Sequence, residues 1–408
     1  MDFQEFGLNE KILAAIEKEG YETPSPIQEQ AIPLALEGRD ILGCAQTGTG
    51  KTAAFALPIL NRLAEGEPRP QKGKRKIRAL ILTPTRELAA QIYDSFVSYG
   101  RYLKLKCAVV VGGVSQYLHR DVIANGTDVL VATPGRLLDY LGGKQVDISG
   151  IEVFVLDEAD RMLDMGFVHD VDKIIEYLPE RRQTLFFTAT IPAEVDRLAK
   201  SMLHNPASVA VTPVSSTTEL TEQSVYMTDR VHKPELLIEL LERDPSKESV
   251  LVFSRTKYGA DKLVKKLKQA NISALAIHGD KSQGARQNAL SGLKTGKIRV
   301  LVATDIAARG IDIDSLSLVV NYELPNVPET YVHRIGRTGR AGKTGEAISF
   351  CDIDEKEYLR DIEKLIKKKI RVVEDNPYPM TVFEKSPPKQ QQPRPDRRQP
   401  MRRGGFRR

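Results

Sequence analysis

The sequence predicts an α/β protein made of two tandem domains with parallel sheets, followed by a disordered basic C-terminal tail. Short Val/Ile/Leu runs recur from residue 40 to residue 350, nearly continuous rather than alternating, which marks strands covered on both faces. Amphipathic stretches such as Glu87–Tyr99 and Val168–Leu178 separate them, giving the rhythm of βαβ units. One polar stretch, Thr212–Thr221, interrupts that rhythm, and 408 residues is enough chain for roughly two to four domains.

Taken in order, the expected strands of the first half are Asp40–Cys44, Arg78–Leu82, Cys107–Val111, Asp128–Ala132, Ile151–Leu156, Thr184–Phe187 and Ala207–Val211. After the interruption come Ser249–Phe253, Ser273–Ile277, Arg299–Ala303, Ser317–Asn321 and Glu346–Phe350. The expected division is a first domain over 1–211, a linker over 212–221, a second domain over 222–372 and an extension over 373–408. Dense like charge and low hydrophobicity predict disorder from about residue 385.

Charge is unevenly spread. The chain carries +6 overall, but residues 385–408 hold nine basic side chains against Asp396, a net of +8, which leaves −2 for residues 1–384. Hydrophobic residues make up 41% and no apolar run approaches the ~18 needed to cross a bilayer, so no membrane partner is expected. The start, MDFQEFGLNEKIL, carries acids and no apolar core, unlike a secretory signal. Cys44, Cys107 and Cys351 are far apart and odd in number, which points to a reducing, cytoplasmic setting without disulfides or structural zinc. Cys44 reads as a small buried strand residue rather than a redox switch. A basic stretch at Arg69–Arg78 reads first as a solvated loop.

The first chemical signal follows the Asp40–Cys44 strand. Ala45-Gln46-Thr47-Gly48-Thr49-Gly50-Lys51-Thr52 has the spacing of a P-loop with alanine at the usual first glycine, and a helical run follows. Glycines let the backbone wrap phosphates, successive N–H groups supply partial positive charge, Lys51 reaches the β/γ oxygens and the Thr52 hydroxyl holds Mg²⁺. Downstream, Asp157-Glu158-Ala159-Asp160 emerges from a buried strand at its C-terminal end, where open α/β sheets bind ligands. Asp157 is placed to hold Mg²⁺ largely through water, and Glu158 to orient or deprotonate an attacking water.

Together, Asp157-Glu158-Ala159-Asp160 and AQTGTGKT resemble the DEAD-box family of ATP-dependent RNA helicases, bacterial and RhlE-like, and the likeness runs over residues 3–345 through about ten ordered motifs. The resemblance implies two RecA-like domains, RNA-stimulated hydrolysis of ATP with Mg²⁺, and local unwinding of short RNA duplexes or remodelling of RNA–protein complexes. Gly20–Gln28 with upstream Phe3 resembles the family's Q motif: Gln28 pairs with an adenine edge, and Tyr21 or Phe3 covers the ring. In the first domain, Pro84-Thr85-Arg86, Gly112-Gly113 and Thr133-Pro134-Gly135-Arg136 match RNA-facing motifs. Thr188-Ala189-Thr190 stands where the family has Ser-Ala-Thr, and with Asp160 and His333 it is expected to couple hydrolysis to strand separation.

In the second domain, Arg255-Thr256, Gln283, Arg286 and Thr304-Asp305 fall at RNA-facing positions, and Asp312 at a nucleotide-facing one. Arg337 and Arg340, in His333-Arg334-Ile335-Gly336-Arg337-Thr338-Gly339-Arg340, are implied arginine fingers. RNA rather than DNA rests on the resemblance. A monomer is expected, with ribosome-assembly or RNA-decay proteins as partners of the implied kind. The same residues also serve an ATP-gated RNA clamp with little unwinding.

Overall fold

The computed structural model describes residues 2–46, 48–65, 74–211, 221–308, 316–339 and 345–383. Its first sheet contains β1 (Ile41–Cys44), β2 (Ala79–Leu82), β3 (Cys107–Val110), β4 (Val129–Ala132), β5 (Val153–Leu156), β6 (Gln183–Thr188) and β7 (Ala207–Ala210), in the order β3-β4-β2-β5-β6-β1-β7. The second contains β8 (Thr221–Met227), β9 (Val250–Phe253), β10 (Ala274–Ile277), β11 (Val300–Ala303), β12 (Leu318–Asn321), β13 (Gly345–Cys351) and β14 (Arg371–Val372), in the order β10-β11-β9-β12-β13-β8-β14. Numbered from its own first strand, each sheet has the same order. The chain is thus a tandem repeat in topology, and the paired strands are parallel throughout.

Helices cover both faces, as the unbroken apolar runs require. In β5, Phe154, Val155 and Leu156 are fully buried, with Val155 in one core cluster and Phe154 and Leu156 in the cluster on the opposite face. Each such side chain contributes about 1.5–3 kcal/mol by leaving water. Central β9 divides likewise, Leu251 to one face and Val250 and Val252 to the other.

Several boundaries shift from expectation for a polar reason. Asp40 stands just before β1 because its carboxylate is engaged, accepting the N–H of Thr184 at 2.7 Å and that of His204 at 2.7 Å. Asp128 precedes β4 and accepts Lys106 N–H at 2.7 Å and Arg75 at 2.5 Å. The helix from Val168 ends at Ile175 rather than Leu178. Two strands lie outside the expected set. β8 begins at Thr221, inside the expected linker, and buries polar residues such as Gln223, whose Oε1 accepts the Tyr331 hydroxyl at 3.0 Å. β14 is a two-residue exposed edge.

The chain beyond Val372 continues to pack on the second domain. Val373 N–H bonds Val225, Met380 N–H bonds Met227, and Asp229 accepts Thr381 N–H at 3.0 Å and Val382 N–H at 3.1 Å. The expected linker up to Leu220, part of the Arg69–Arg78 stretch and the basic tail lie outside the described residues.

Arg334 is the largest fully buried side chain among the described residues. Its guanidinium forks onto Asp305 at 2.6 and 2.7 Å, donates to Asn321 Oδ1 at 3.0 Å and to Glu323 O at 2.7 Å, and lies 4.9 Å over the Phe253 ring. Arg334→Leu leaves Asp305 without this partner and is expected to cost about 3–5 kcal/mol. Calorimetry should then move the second domain's transition downward and leave the first domain's in place.

Candidate active site and nucleic-acid interface

The shared topology sorts the loops. At the C-terminal ends of the first sheet, β5, β6 and β1 are neighbours and lead into the Asp157–Asp160 acids, Thr188–Thr190 and the P-loop. Strands β3, β4 and β2 form the other half and lead into Gly112-Gly113, Thr133–Arg136 and Pro84–Arg86. The second sheet repeats this: β10, β11 and β9 lead into His278–Arg286, Thr304-Asp305 and Arg255-Thr256.

A cavity of about 500 Å³ opens at the nucleotide half, lined by Gly48, Gly50, Lys51, Thr52, Asp157 and Glu158 from the first domain and by Arg337 from the second. Lys51 is buried at the base of its helix, where its ammonium donates to Ala45 O at 2.9 Å, closing the loop on itself. Thr49 Oγ1 donates to Gln46 O at 2.8 Å. Gly50 holds φ +91°, and a methyl group there would collide with the Gln28 amide, so only glycine fits. Thr47, Asp312 and Arg340 lie outside the described residues.

Asp157 is buried at the end of β5, and burial pushes its carboxyl up to about 6; the Lys51 ammonium opposes this and the Glu158 charge adds to it. Glu158 adopts the left-handed region at φ 55°, ψ 50°, a strained conformation of the kind stored at functional sites. Its carboxylate takes a 2.7 Å bond from Arg161, a pair with both side chains buried. Asp160 bonds the next loop directly: Oδ2 accepts Ala189 N–H at 3.2 Å, Thr190 N–H at 3.0 Å and the Thr190 hydroxyl at 3.1 Å. Thr188 Oγ1 donates to Thr190 O at 2.7 Å. Among the described residues no three His, Cys, Asp or Glu side chains cluster as a metal site. Thr52 and Asp157 supply the hard oxygen donors that suit a Mg²⁺ completed by phosphate and water.

The aromatic side of the cavity differs from expectation. Tyr21 lines the opening, its hydroxyl 2.6 Å from that of Tyr99. Phe3 is buried behind Tyr21, edge-on at 5.9 Å between ring centroids, so it braces that ring instead of facing the cavity. Gln28 is also buried: its Oε1 accepts Ser25 N–H at 2.9 Å and its Nε2 donates to Gly50 O at 3.1 Å. Both ends of its amide are engaged in shaping the loop. Leu88, Gln91, Ser95 and Tyr99 form a further wall that the motifs did not indicate. They share one face of the helix Arg86–Tyr99, and that spacing was the available signal.

At the other half, three loops are tied together. The Arg86 guanidinium packs against Gly113, whose φ of +67° and missing side chain allow the approach. Gly112 N–H donates to Thr133 Oγ1 at 3.4 Å, and Arg136 to Val114 O at 3.4 Å. Thr85 and Thr133 are buried and cap helices, while Pro134 opens one; Gly112, Gly113, Gly135, Arg86 and Arg136 present surface. His119, which no motif indicated, joins this group, its Nδ1 2.7 Å from the Tyr140 hydroxyl and its Nε2 accepting Val111 N–H at 3.5 Å; burial lowers its pKa.

Four residues expected to face RNA make protein contacts. Gln283 and Arg286 reach across to Glu87 in the first domain, at 3.3 and 2.7 Å, and Asp305 is held by Arg334. Arg255 bonds Glu355 at 3.0 Å and Leu324 O at 2.9 Å, although it and Thr256 remain exposed. Thr304 is half-buried, and His333 lines a small crevice with Arg161, Arg334 and Arg337 where the two domains meet.

Known proteins match this arrangement. Residues 25–198 match the DEAD/DEAH box helicase family, and residues 232–342 the helicase conserved C-terminal domain. The chain is 44% identical over 373 residues to the DEAD-box ATP-dependent RNA helicase RhpA of Helicobacter pylori, covering 91% of this chain and 74% of that one. It is 42% identical over 371 residues to the ATP-dependent RNA helicase CshA of Listeria monocytogenes, covering 90% and 69%. Among solved structures, S. cerevisiae Dbp5 bound to RNA and ADP BeF3 superposes with a TM-score of 0.80 at 34% identity, covering 91% of this chain and 95% of that one. Two matched domains, a shared cavity and relatives alike over most of their length place the chain in the DEAD-box family of ATP-dependent RNA helicases.

Proposed function

We propose that the chain hydrolyses ATP only when its two domains close over RNA, and uses the closed state to open short duplexes or strip bound protein. The observation carrying this is the cavity in which Arg337 of the second domain stands with Lys51, Asp157 and Glu158 of the first. Bound Mg²⁺ and ATP would supply the phosphoryl group and a charge clamp on it. The P-loop N–H groups and Lys51 hold phosphate oxygens, Asp157 and Thr52 face the cation, and Glu158 holds the attacking water and takes its proton. Asp160 carries the state of these acids to Ala189 and Thr190. The three tied loops after β3, β4 and β2, with the loops after β10, β11 and β9, would give a sugar-phosphate track running across both domains.

Closure has limited energy to spend. Micromolar nucleotide binding makes about 8 kcal/mol available. Separating a base-pair step takes about 1.4 kcal/mol, so one cycle opens only a handful of pairs.

The test is steady-state ATP hydrolysis without polymer, with single-stranded RNA, and with DNA of matched sequence. RNA alone should stimulate strongly; equal stimulation by DNA would replace this reading with a general nucleic-acid remodeller. Duplex release that occurs once without hydrolysis and does not recur would favour the clamp.

Glu87 supplies a second test. Its buried carboxylate accepts from Arg286, so Glu87→Gln removes the charge that draws the domains together. The RNA concentration for half-maximal ATPase should rise about tenfold, the effect of some 1.4 kcal/mol, with melting of each domain nearly unchanged.

A further inference from the structure

A second cavity, comparable in volume to the one at the P-loop, lies in the second domain. A groove of about 540 Å³ crosses the free edge of the second sheet, where β10 has a neighbour on one side only. The helices Lys257–Gln269 and Gln283–Lys294 pack on opposite faces of that sheet, and the groove lies between them. Its interior is aliphatic: Val264 from one helix, Leu275 from β10, Ala285 and Ala289 from the other. Its rim is basic. Lys265 and Lys268 line it with no acidic partner among the described residues, whereas Lys266 nearby is paired with Glu235 and Lys257 with Asp280. Asp261, the one acid at the groove, is already matched by Lys281 at 2.8 Å and by His278 at 3.1 Å.

We propose that this groove docks a segment of a partner protein that presents aliphatic side chains flanked by aspartate or glutamate. The volume is that of a ligand site, and an aliphatic interior with a charged rim is the form of a peptide groove. Charge decides among occupants. The chain's own tail carries +8 and is repelled by Lys265 and Lys268. A second copy docking edge to edge would set lysine against lysine. Nucleic acid would find phosphate contacts, but none of the lining residues is an aromatic ring or an arginine on which a base could stack. An acidic, aliphatic segment satisfies both the interior and the rim.

The experiment selects from displayed peptides of about twelve residues, in which Leu, Ile and Val are mixed with either Asp/Glu or Lys/Arg, against the full chain. Acidic aliphatic peptides should be enriched, and their affinity, read by fluorescence anisotropy, should fall about tenfold or more in Lys265→Glu/Lys268→Glu, the loss of roughly 1.4 kcal/mol or more. Ala285→Leu, an exposed position, should weaken the same peptides by filling the groove without changing charge. RNA-stimulated ATPase should survive in both variants and report that they fold. Enrichment of neither class, equal enrichment of basic peptides, or acidic peptides that bind the charge-reversed variant as well would overturn the proposal. So would a loss of single-stranded RNA affinity in Lys265→Glu/Lys268→Glu with peptide binding intact, which would make the groove an RNA surface.

Discussion

Arg337→Ala is expected to slow RNA-stimulated ATP hydrolysis by about 10³–10⁵-fold, the range over which an arginine finger stabilises the charge of a phosphoryl-transfer transition state. Arg337 is buried, lines the nucleotide cavity from the opposite domain, and is positioned by its own backbone, whose carbonyl accepts Leu316 N–H at 3.3 Å. It follows the helix Pro328–Ile335 and is carried by none of the loops after β10, β11 and β9, so RNA affinity without nucleotide should hardly change. Arg337→Lys should recover only part of the rate, because an ammonium keeps the charge and loses the planar fork. Single-turnover hydrolysis at saturating RNA separates the effect from closure. A variant that hydrolyses at the normal rate once RNA is saturating would remove Arg337 from the chemistry and leave it a closure contact.

The doubly wound domains were legible in the sequence because a parallel sheet covered on both faces writes its strands as unbroken apolar runs, as in Val153–Leu156 and Val300–Ala303. β8 and β14 were not. Gln223 and Ser224 are buried in β8 as hydrogen-bonding residues, and nothing in their chemistry marks a core strand before the partner Tyr331 is known. The repeat of topology was expected only from the family resemblance, since it lies in strand order and not in residue identity. Strand ends were blurred by acids such as Asp40, which belong to the sheet's hydrogen bonding without belonging to its ladder.

For the site, the local motifs placed their loops correctly at strand ends, because strand–loop–helix chemistry is sequential. What the sequence lacked was the direction of each side chain. Gln28 turns to the loop, Phe3 behind Tyr21, and Asp305 to Arg334, each drawn by a partner distant in sequence or by a core position. Arg286 and Glu87 are 199 residues apart, and their meeting depends on how two domains close. Arg334 and Arg337 stand in the same motif and both are buried, yet Arg334 is forked onto Asp305 whereas Arg337 lines the cavity.

Glu158→Gln is expected to lower turnover by about 10²–10⁴-fold, the contribution of a positioned general base, while leaving ATP and RNA binding close to normal. The amide is the same size and keeps an oxygen that accepts from Arg161, so the loop retains its shape; what disappears is the capacity to take a proton. Two side effects follow from the local structure. Arg161 keeps less charge compensation in a buried pair, which should lower the first domain's melting temperature modestly. Asp157 loses the like charge beside it, which favours its ionised form and tighter cation binding. The variant should therefore collect in the closed, RNA-bound state when given ATP, and gel retardation should show a complex that outlasts the wild type's. Glu158→Ala removes the Arg161 contact as well and should lose stability further, so comparing the two divides chemistry from scaffold. Turnover at the wild-type rate in Glu158→Gln would mean that the proton leaves by another route, and that the left-handed Glu158 is held in place for Arg161 alone.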